Sequence, residues 1–313
     1  MSESSVALPT PRGLKSALRP RHQIAERAAV TDSAPDFVVV GHAARDLTPG
    51  GWRLGGTITF AAAQAHRLGR RAGVVTRAGP ELDVARELSY ADVRSRPSPQ
   101  STTFENIYTP AGRRQRILAV ADAIAPADVP VAWRAAPVVL LGPLWGELPP
   151  DFAAVFAEES LVGVSAQGWL RAADDEGNVL HAPWTGEPFW RGADVLFVSD
   201  EDLGDGGEQL ARWLADVPVV AMTESWRGAR VCTGGRWRRM DAFPEDEVDP
   251  TGAGDTFATA FLIRLHETGD VDEAARFGAA AASISVGGVG VAAVPDRAAI
   301  EQRMRQYPEV ALR

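Results

Sequence analysis

Beyond Pro35 the chain alternates short apolar runs with stretches of helical periodicity. Phe37–Val40, Val74–Thr76, Val138–Leu141, Val162–Ser165, Val195–Ser199 and Val217–Ala221 are too short for helices and show no polar alternation. Such runs predict strands buried on both faces. The Ala-rich segment Thr57–Leu68 and the segment Leu82–Leu88 read as the first helices between them. This rhythm predicts an α/β fold with a mostly parallel central sheet covered by helices. From about 91 to 120 the rhythm breaks: TTFENIYT and RRQRILAV are alternating segments around Pro110-Ala111-Gly112, which predicts hairpin arms in a small β appendage. A further β-ribbon is expected at 229–240, and helices near 254–267, 271–286 and 296–306 close the chain. No internal repeat or central linker divides 36–313, so one domain with an appendage is expected.

Residues 1–35 contain Pro9, Pro11, Pro20 and Pro35 and no apolar core, and read as a flexible or loosely docked extension rather than a signal peptide or membrane span. The uncharged run Phe277–Val294 consists largely of Ala, Gly and Ser and is broken by Gly287-Gly288 and Gly290. It predicts a buried helix entering a tight loop, too weakly apolar to span a bilayer. No membrane partner is therefore expected.

Composition narrows the chemistry. The apolar fraction is 45% and the charged fraction 23%, the balance of a globular enzyme. A formal net charge of −9 argues against a nucleic-acid partner. Cys232 is the single cysteine, so no internal disulfide or CxxC clip can form, which suits a reducing cytoplasmic location. Lys15 is the sole lysine, which excludes a Walker P-loop, a pyridoxal phosphate Schiff base and a protein-kinase fold. The histidines lack zinc-binding spacing, and GVSAQG around Ser165 lacks the spacing of a nucleophile elbow. The first strand is followed by GHAARD rather than a dinucleotide-binding G-x-G-x-x-G.

The most informative segment is VDPTGAGDTFATAFLIRL, Val248–Leu265. Phe257, Phe261 and Leu265 recur at helical spacing, so Gly252, Ala253 and Gly254 lie where a helix N-terminus offers free N–H groups to an anion. Asp255 stands in the first turn. One reading makes it a favourable partner of the helix dipole. The other makes it a proton acceptor for a hydroxyl attacking a bound phosphate, which better explains an acid placed beside an anion site.

DPTGAGDTF closely resembles the C-terminal signature of the PfkB or ribokinase-like carbohydrate kinases, and Leu54-Gly55-Gly56 opening an Ala-rich helix, followed by VVTRAGPE, resembles their N-terminal signature. The two motifs, in order and with a β insertion between them, cover nearly all of 36–313. TTFENIY, RRQRIL, LLGPL, AQGWLR and SISVGGVG look most like the branch containing plant myo-inositol kinase. The resemblance implies a ribokinase-like three-layer αβα sandwich with a mostly parallel central sheet and a small β-sheet lid, its strands drawn from about 45–55 and 91–120.

The resemblance further implies an ATP- and Mg2+-dependent kinase acting on a sugar or polyol. Asp255 would be the catalytic base, and the N–H groups of Gly252, Ala253 and Gly254 the anion hole. Asp46, Gly55 and Gly56 would bind the acceptor. Thr223 and Gly228 would hold the nucleotide in a loop where Glu224-Ser225 departs from the usual Leu-Gly. Ala279, Ala282 and Ser283 would line the adenine pocket. Ser199 and Asp202 stand where most relatives have Asn-x-x-Glu, so Asp202 would reach magnesium through water. Asp249 and Thr251 match a monovalent-cation region, leaving K+ open.

Thr57 and Phe60 replace the Lys and Asn of ribokinase proper, favouring an inositol-like ring over ribose. In the lid, Phe104, Asn106 and Tyr108 share one strand face by period 2, with Arg114 and Arg116 on the facing arm. Asn106 and Arg116 are therefore candidate substrate residues, the alternative being that this face packs on the body or on a second subunit. Trp169 and Arg171 are either pocket residues or a core Trp and a surface Arg. A homodimer through lid edges is left open, as in many relatives. The competing functional readings are a nucleoside kinase of the same family and a sugar- or nucleotide-sensing pseudokinase.

Overall fold

The computed structural model describes residues 33–48, 50–109, 112–204 and 206–313. Nearly all of the expected 1–35 extension, and Pro110-Ala111 of the expected lid turn, lie outside the described residues. In chain order the elements are β1 (Phe37–Val40), β2 (Ala44–Thr48), β3 (Gly51–Gly55), α1 (Thr57–Arg67), β4 (Ala72–Ala78), α2 (Val84–Glu87), β5 (Asp92–Pro97), β6 (Thr102–Thr109) and β7 (Gly112–Ala119). There follow β8 (Val138–Leu141), β9 (Leu161–Ser165), β10 (Arg171–Ala173), β11 (Val179–His181), β12 (Val195–Ser199), α3 (Asp200–Leu203) and α4 (Gly207–Asp216). The chain closes with β13 (Val219–Thr223), β14 (Ala229–Thr233), β15 (Arg236–Met240), α5 (Ala253–Thr268), α6 (Val271–Val286) and α7 (Arg297–Gln306).

The central sheet has nine strands in the order β15-β14-β13-β12-β9-β8-β1-β4-β5. From β13 to β5 all neighbours run parallel, and β14 and β15 complete one edge as an antiparallel hairpin. Period-2 alternation divides each buried strand between two cores. Phe37, Val39, Leu140 and Phe197 face a layer made by α1, α5, α6 and α7. Val38, Val40, Leu141 and Val198 face the other side. That second layer holds α4 and several 3-10 turns, filled by aromatic side chains: Trp169 stacks on Phe189 at 4.3 Å, and Trp213 is fully buried beneath them. The sandwich is therefore asymmetric, with one fully helical layer and one largely irregular one. Among the described residues no helix is long and apolar enough to cross a membrane; the uncharged run after Phe277 is the end of α6 followed by a 3-10 turn.

The lid is a four-stranded sheet in the order β3-β2-β6-β7. Residues 92–97 do not join the lid; β5 extends the central sheet, pairing parallel with β4 from Gly73↔Asp92 to Ala78↔Pro97. The expected helix 82–88 is a single turn, α2, capped by Asp83. Neither α4 nor the small hairpin of β10 and β11 was expected.

A buried polar cluster stitches the lid to the body where the strands cross over. The His42 ring lies between the Asp122 carbonyl, 2.9 Å from Nε2, and the Thr102 hydroxyl, 2.8 Å from Nδ1. Because a carbonyl only accepts, Nε2 carries the proton and Nδ1 accepts from Thr102, whose oxygen also accepts from the Ala121 N–H at 3.1 Å. Glu147 accepts from the N–H groups of His42, Leu144 and Trp145, tying the end of β1 to the loop after β8. Thr102→Val keeps the shape and removes the shared hydroxyl. It is expected to cost about 1–2 kcal/mol, read as a fall of roughly 2–6 °C in melting temperature.

Candidate active site

The sheet opens a cleft of about 690 Å3 at the carboxyl ends of its parallel strands, the place where open α/β sheets bind ligands. Its far wall is the start of α5. Gly252 caps that helix in the left-handed region, with φ 80°, and a Cβ there would drive into the Phe60 ring. Only glycine combines that φ with that contact. The Ala253 N–H donates to the Pro250 carbonyl at 3.2 Å, closing the turn, while no backbone partner holds the N–H groups of Gly254 and Asp255 among the described residues. The exposed end of the helix dipole therefore favours an anion beside Asp255.

Asp255 is half-buried in the cleft wall. Burial is the main influence on its carboxyl and pushes its pKa up to about 6; the Asp202 charge adds to this, while a hydrogen bond from Thr57 and the Arg171 guanidinium oppose it. Thr57, the first residue of α1, packs so closely on Gly142 that a Cβ at that glycine would overlap its side chain. Three segments remote in sequence, at Thr57, Arg171 and Asp202, thus act on one carboxylate.

At one end of the cleft lie Asp46, Phe60, Phe104, Gln115, Leu144 and Arg171. Asp46 sits in β2, and its carboxylate lies so close over Gly55 that any side chain there would collide with it. Phe104 packs edge-on against Trp145 at 6.2 Å and carries the Arg171 guanidinium 5.8 Å from its ring centroid. At the other end lie Thr223, Gly228, Ala279, Ala282 and Ser283, and Ser199 and Asp202 stand between the two.

The structure gathers Asp255, Gly252, Ala253, Gly254, Asp46, Gly56, Thr223, Gly228, Ala279, Ala282, Ser283, Ser199, Asp202 and Thr251 around this one cleft. Four candidates are placed outside its lining. Gly55 lies behind the Asp46 carboxylate. Asp249 caps the turn, its Oδ1 accepting from the Thr251 N–H at 3.0 Å. Arg116 points away, donating twice to the Glu176 carbonyl and pairing with Glu105 at 3.3 Å, so it clamps β7 to the neighbouring β10–β11 hairpin. Asn106 accepts from Gln115 Nε2 at 3.0 Å and so holds its cross-strand partner, which does line the cleft. Trp169 belongs to the aromatic core, and Arg171 to the cleft. The Tyr108 side chain lies outside the described residues.

Gln115 and Gln167 were not anticipated. Gln115 follows from hairpin register, which sets Asn106 opposite it. Gln167 has no sequence signal; it donates to Asp202 Oδ2 at 3.2 Å, while the Ser199 hydroxyl donates to the same carboxylate at 2.7 Å. Among the described residues no group of three or more His, Cys, Asp or Glu is arranged to hold a metal ion directly. The loop after β13 carries Glu224-Ser225 and closes as a single 3-10 turn. Glu224 is buried and pairs with Arg230 at 2.7 Å and Arg239 at 3.5 Å, so the loop is anchored by ion pairs.

Residues 190–297 match the family described as pfkB family carbohydrate kinase. Ribokinase of Bacillus subtilis is 40% identical over 82 residues, 26% of this chain and 28% of that protein. Inositol 3-kinase of Zea mays is 31% identical over 194 residues, 61% of this chain and 50% of that protein. These matches span half or less of the length of the curated relatives. Two solved structures resemble the central sheet, its helices and the lid together. A pyrophosphate-dependent kinase in the ribokinase family, complexed with a pyrophosphate analog and myo-inositol, has a TM-score of 0.70 at 23% identity over 85% of this chain and 99% of that one. Ribokinase of Arabidopsis thaliana, complexed with ribose and ATP, has a TM-score of 0.66 at 22% identity over 87% and 99%. The chain has the ribokinase fold.

Proposed function

We propose that this chain is a kinase that transfers a phosphoryl group from ATP to one hydroxyl of a small polyol or sugar, with an inositol-like ring preferred to ribose. The observation that carries this reading is Asp255, a carboxyl pushed up to about 6 by burial and seated beside the unpartnered N–H groups at the start of α5. A base near pH 6 is mostly ionised at neutral pH yet basic enough to take a hydroxyl proton.

In the transfer, a carboxylate oxygen of Asp255 takes the acceptor proton, and the acceptor oxygen bonds to the γ-phosphorus. The bond from that phosphorus to the β–γ bridging oxygen breaks, and its electron pair leaves on ADP. The N–H groups at the start of α5 stabilise the charge on the moving phosphoryl group. Asp202, held from two sides by Ser199 and Gln167, suits a hydrated Mg2+ through its coordinated waters, and the bound ion would neutralise donor phosphate charge. At the acceptor end, Phe60, Phe104 and Leu144 offer apolar walls to the C–H face of a ring, and Asp46 can accept from two neighbouring hydroxyls. The relative named inositol 3-kinase and the neighbour holding myo-inositol support the choice of acceptor.

The test is ADP release by the full chain with ATP and Mg2+ across myo-inositol and its isomers, ribose, fructose, nucleosides and a blank without acceptor. The expected result is stimulation by a cyclic polyol, with ribose weaker. Stimulation by nucleosides alone would replace this reading with the nucleoside-kinase one. No stimulation by any acceptor would end the transfer reading and leave a sensing role.

A further inference from the structure

Trp226 is the most exposed large aromatic side chain among the described residues, 77% accessible, yet it lines the cleft. Exposure alone is ordinary for one side chain, but an indole exposed in the wall of a cleft offers a flat apolar face that a ligand can cover. Its loop is rigidly held. The Glu224 N–H donates to the Gly228 carbonyl at 2.8 Å, the Gly228 N–H to the Ser225 carbonyl at 3.0 Å, and Ser225 takes a positive φ of 54°. The buried Glu224 anchors the loop from below through Arg230 and Arg239, and Arg227 is pinned on Asp200 with its guanidinium 5.8 Å from the Trp226 ring centroid.

The surroundings indicate what the indole receives. Besides the start of α5 and Trp226, the cleft is lined by the apolar side chains of Phe243, Ala279, Ala282 and Val286. A bare pyrophosphate gains nothing from those side chains, whereas a flat heteroaromatic base can stack on the indole and bury its faces there. We propose that Trp226 is the stacking platform for the base of a nucleoside phosphate donor, and that it sets the preference of this cleft for a nucleotide over pyrophosphate. This rests on the nucleotide-donor reading above, and it concerns donor recognition alone.

The test is calorimetric titration of the full chain with ADP and, separately, with pyrophosphate, both with Mg2+ and without acceptor, for the wild type, Trp226→Ala and Trp226→Phe. The substitutions fall on an exposed side chain, so unchanged melting temperatures are expected. Trp226→Ala should weaken ADP by about tenfold, and Trp226→Phe by no more than about threefold, as expected for a lost and a reduced stack. The response to pyrophosphate should be the same in all three. An ADP affinity unmoved in Trp226→Ala, a loss shared equally by pyrophosphate, or a wild type that binds no ADP would each overturn the proposal. Because no acceptor is present, silence across the acceptor panel leaves this result intact, and the two failures are separable.

Discussion

Asp255→Asn is expected to lower kcat by about a thousandfold while leaving donor affinity nearly unchanged, because the amide fills the same space but cannot take the hydroxyl proton. Wild-type kcat should fall as pH drops through about 6, where the carboxyl takes up its proton, and the small residual rate of the variant should lack that step. Stability should move the other way. The folded protein holds this proton up to about pH 6, whereas an unfolded chain releases it near the ordinary aspartate value of 3.8. Stability is thus favoured below that ordinary value and lost as pH rises through the folded one. The variant, which never ionises, should be more stable than the wild type at pH 8, and the gain should vanish near pH 4. A shift of this size corresponds to roughly 3 kcal/mol, and water reaching Asp255 through the cleft reduces the expected gain to about 1–2 kcal/mol. Melting curves of both proteins at the two pH values, beside the pH–rate profile, check the pair of effects. A variant that kept full activity would remove Asp255 from the chemistry.

The parallel strands were legible because burial on both faces leaves an unbroken apolar run, as in Phe37–Val40 and Val138–Leu141. β5 was not. As an exposed edge strand it reads Asp-Val-Arg-Ser-Arg-Pro, and a polar edge carries no information about which sheet it joins. The helix α4 did leave a signal, since Leu210, Trp213 and Leu214 stand at helical spacing over the second core.

Residues near the cleft were legible where backbone requirements constrain residue type. Gly252 and Gly55 are glycines because a ring and a carboxylate occupy the space of a side chain. Side-chain direction in the lid was much harder to read. Asn106 and Arg116 had the right chemistry, but one is occupied in holding Gln115 and the other in clamping a neighbouring hairpin. Periodicity assigns a face and says nothing of which neighbour will capture a long polar side chain.

Gly252→Ala tests whether backbone geometry is as important here as the base. The residue sits at φ 80°, ψ 4°, and the added methyl would point into the buried Phe60 ring. A left-handed alanine costs about 1–2 kcal/mol, and forcing a methyl into packed aromatic contact costs a further 1–3 kcal/mol or so. The sum, about 3 kcal/mol, should lower the melting temperature by roughly 6–12 °C. Phe60 also lines the cleft, so relief of the clash must move either that wall or the start of α5. A displacement of about 1 Å in positioned groups costs on the order of a hundredfold in rate, and kcat should fall at least that far even well below the new melting temperature. The two readouts separate the causes. A less stable protein with normal kcat would mean that Phe60 alone gives way and the N–H groups stay in place. A loss of kcat with little change in acceptor affinity would locate the damage at the start of α5, where the proposed transfer would place the phosphoryl charge. That second outcome is expected, because Gly252 is the residue from which the helix begins and its φ sets the direction of the N–H groups that follow.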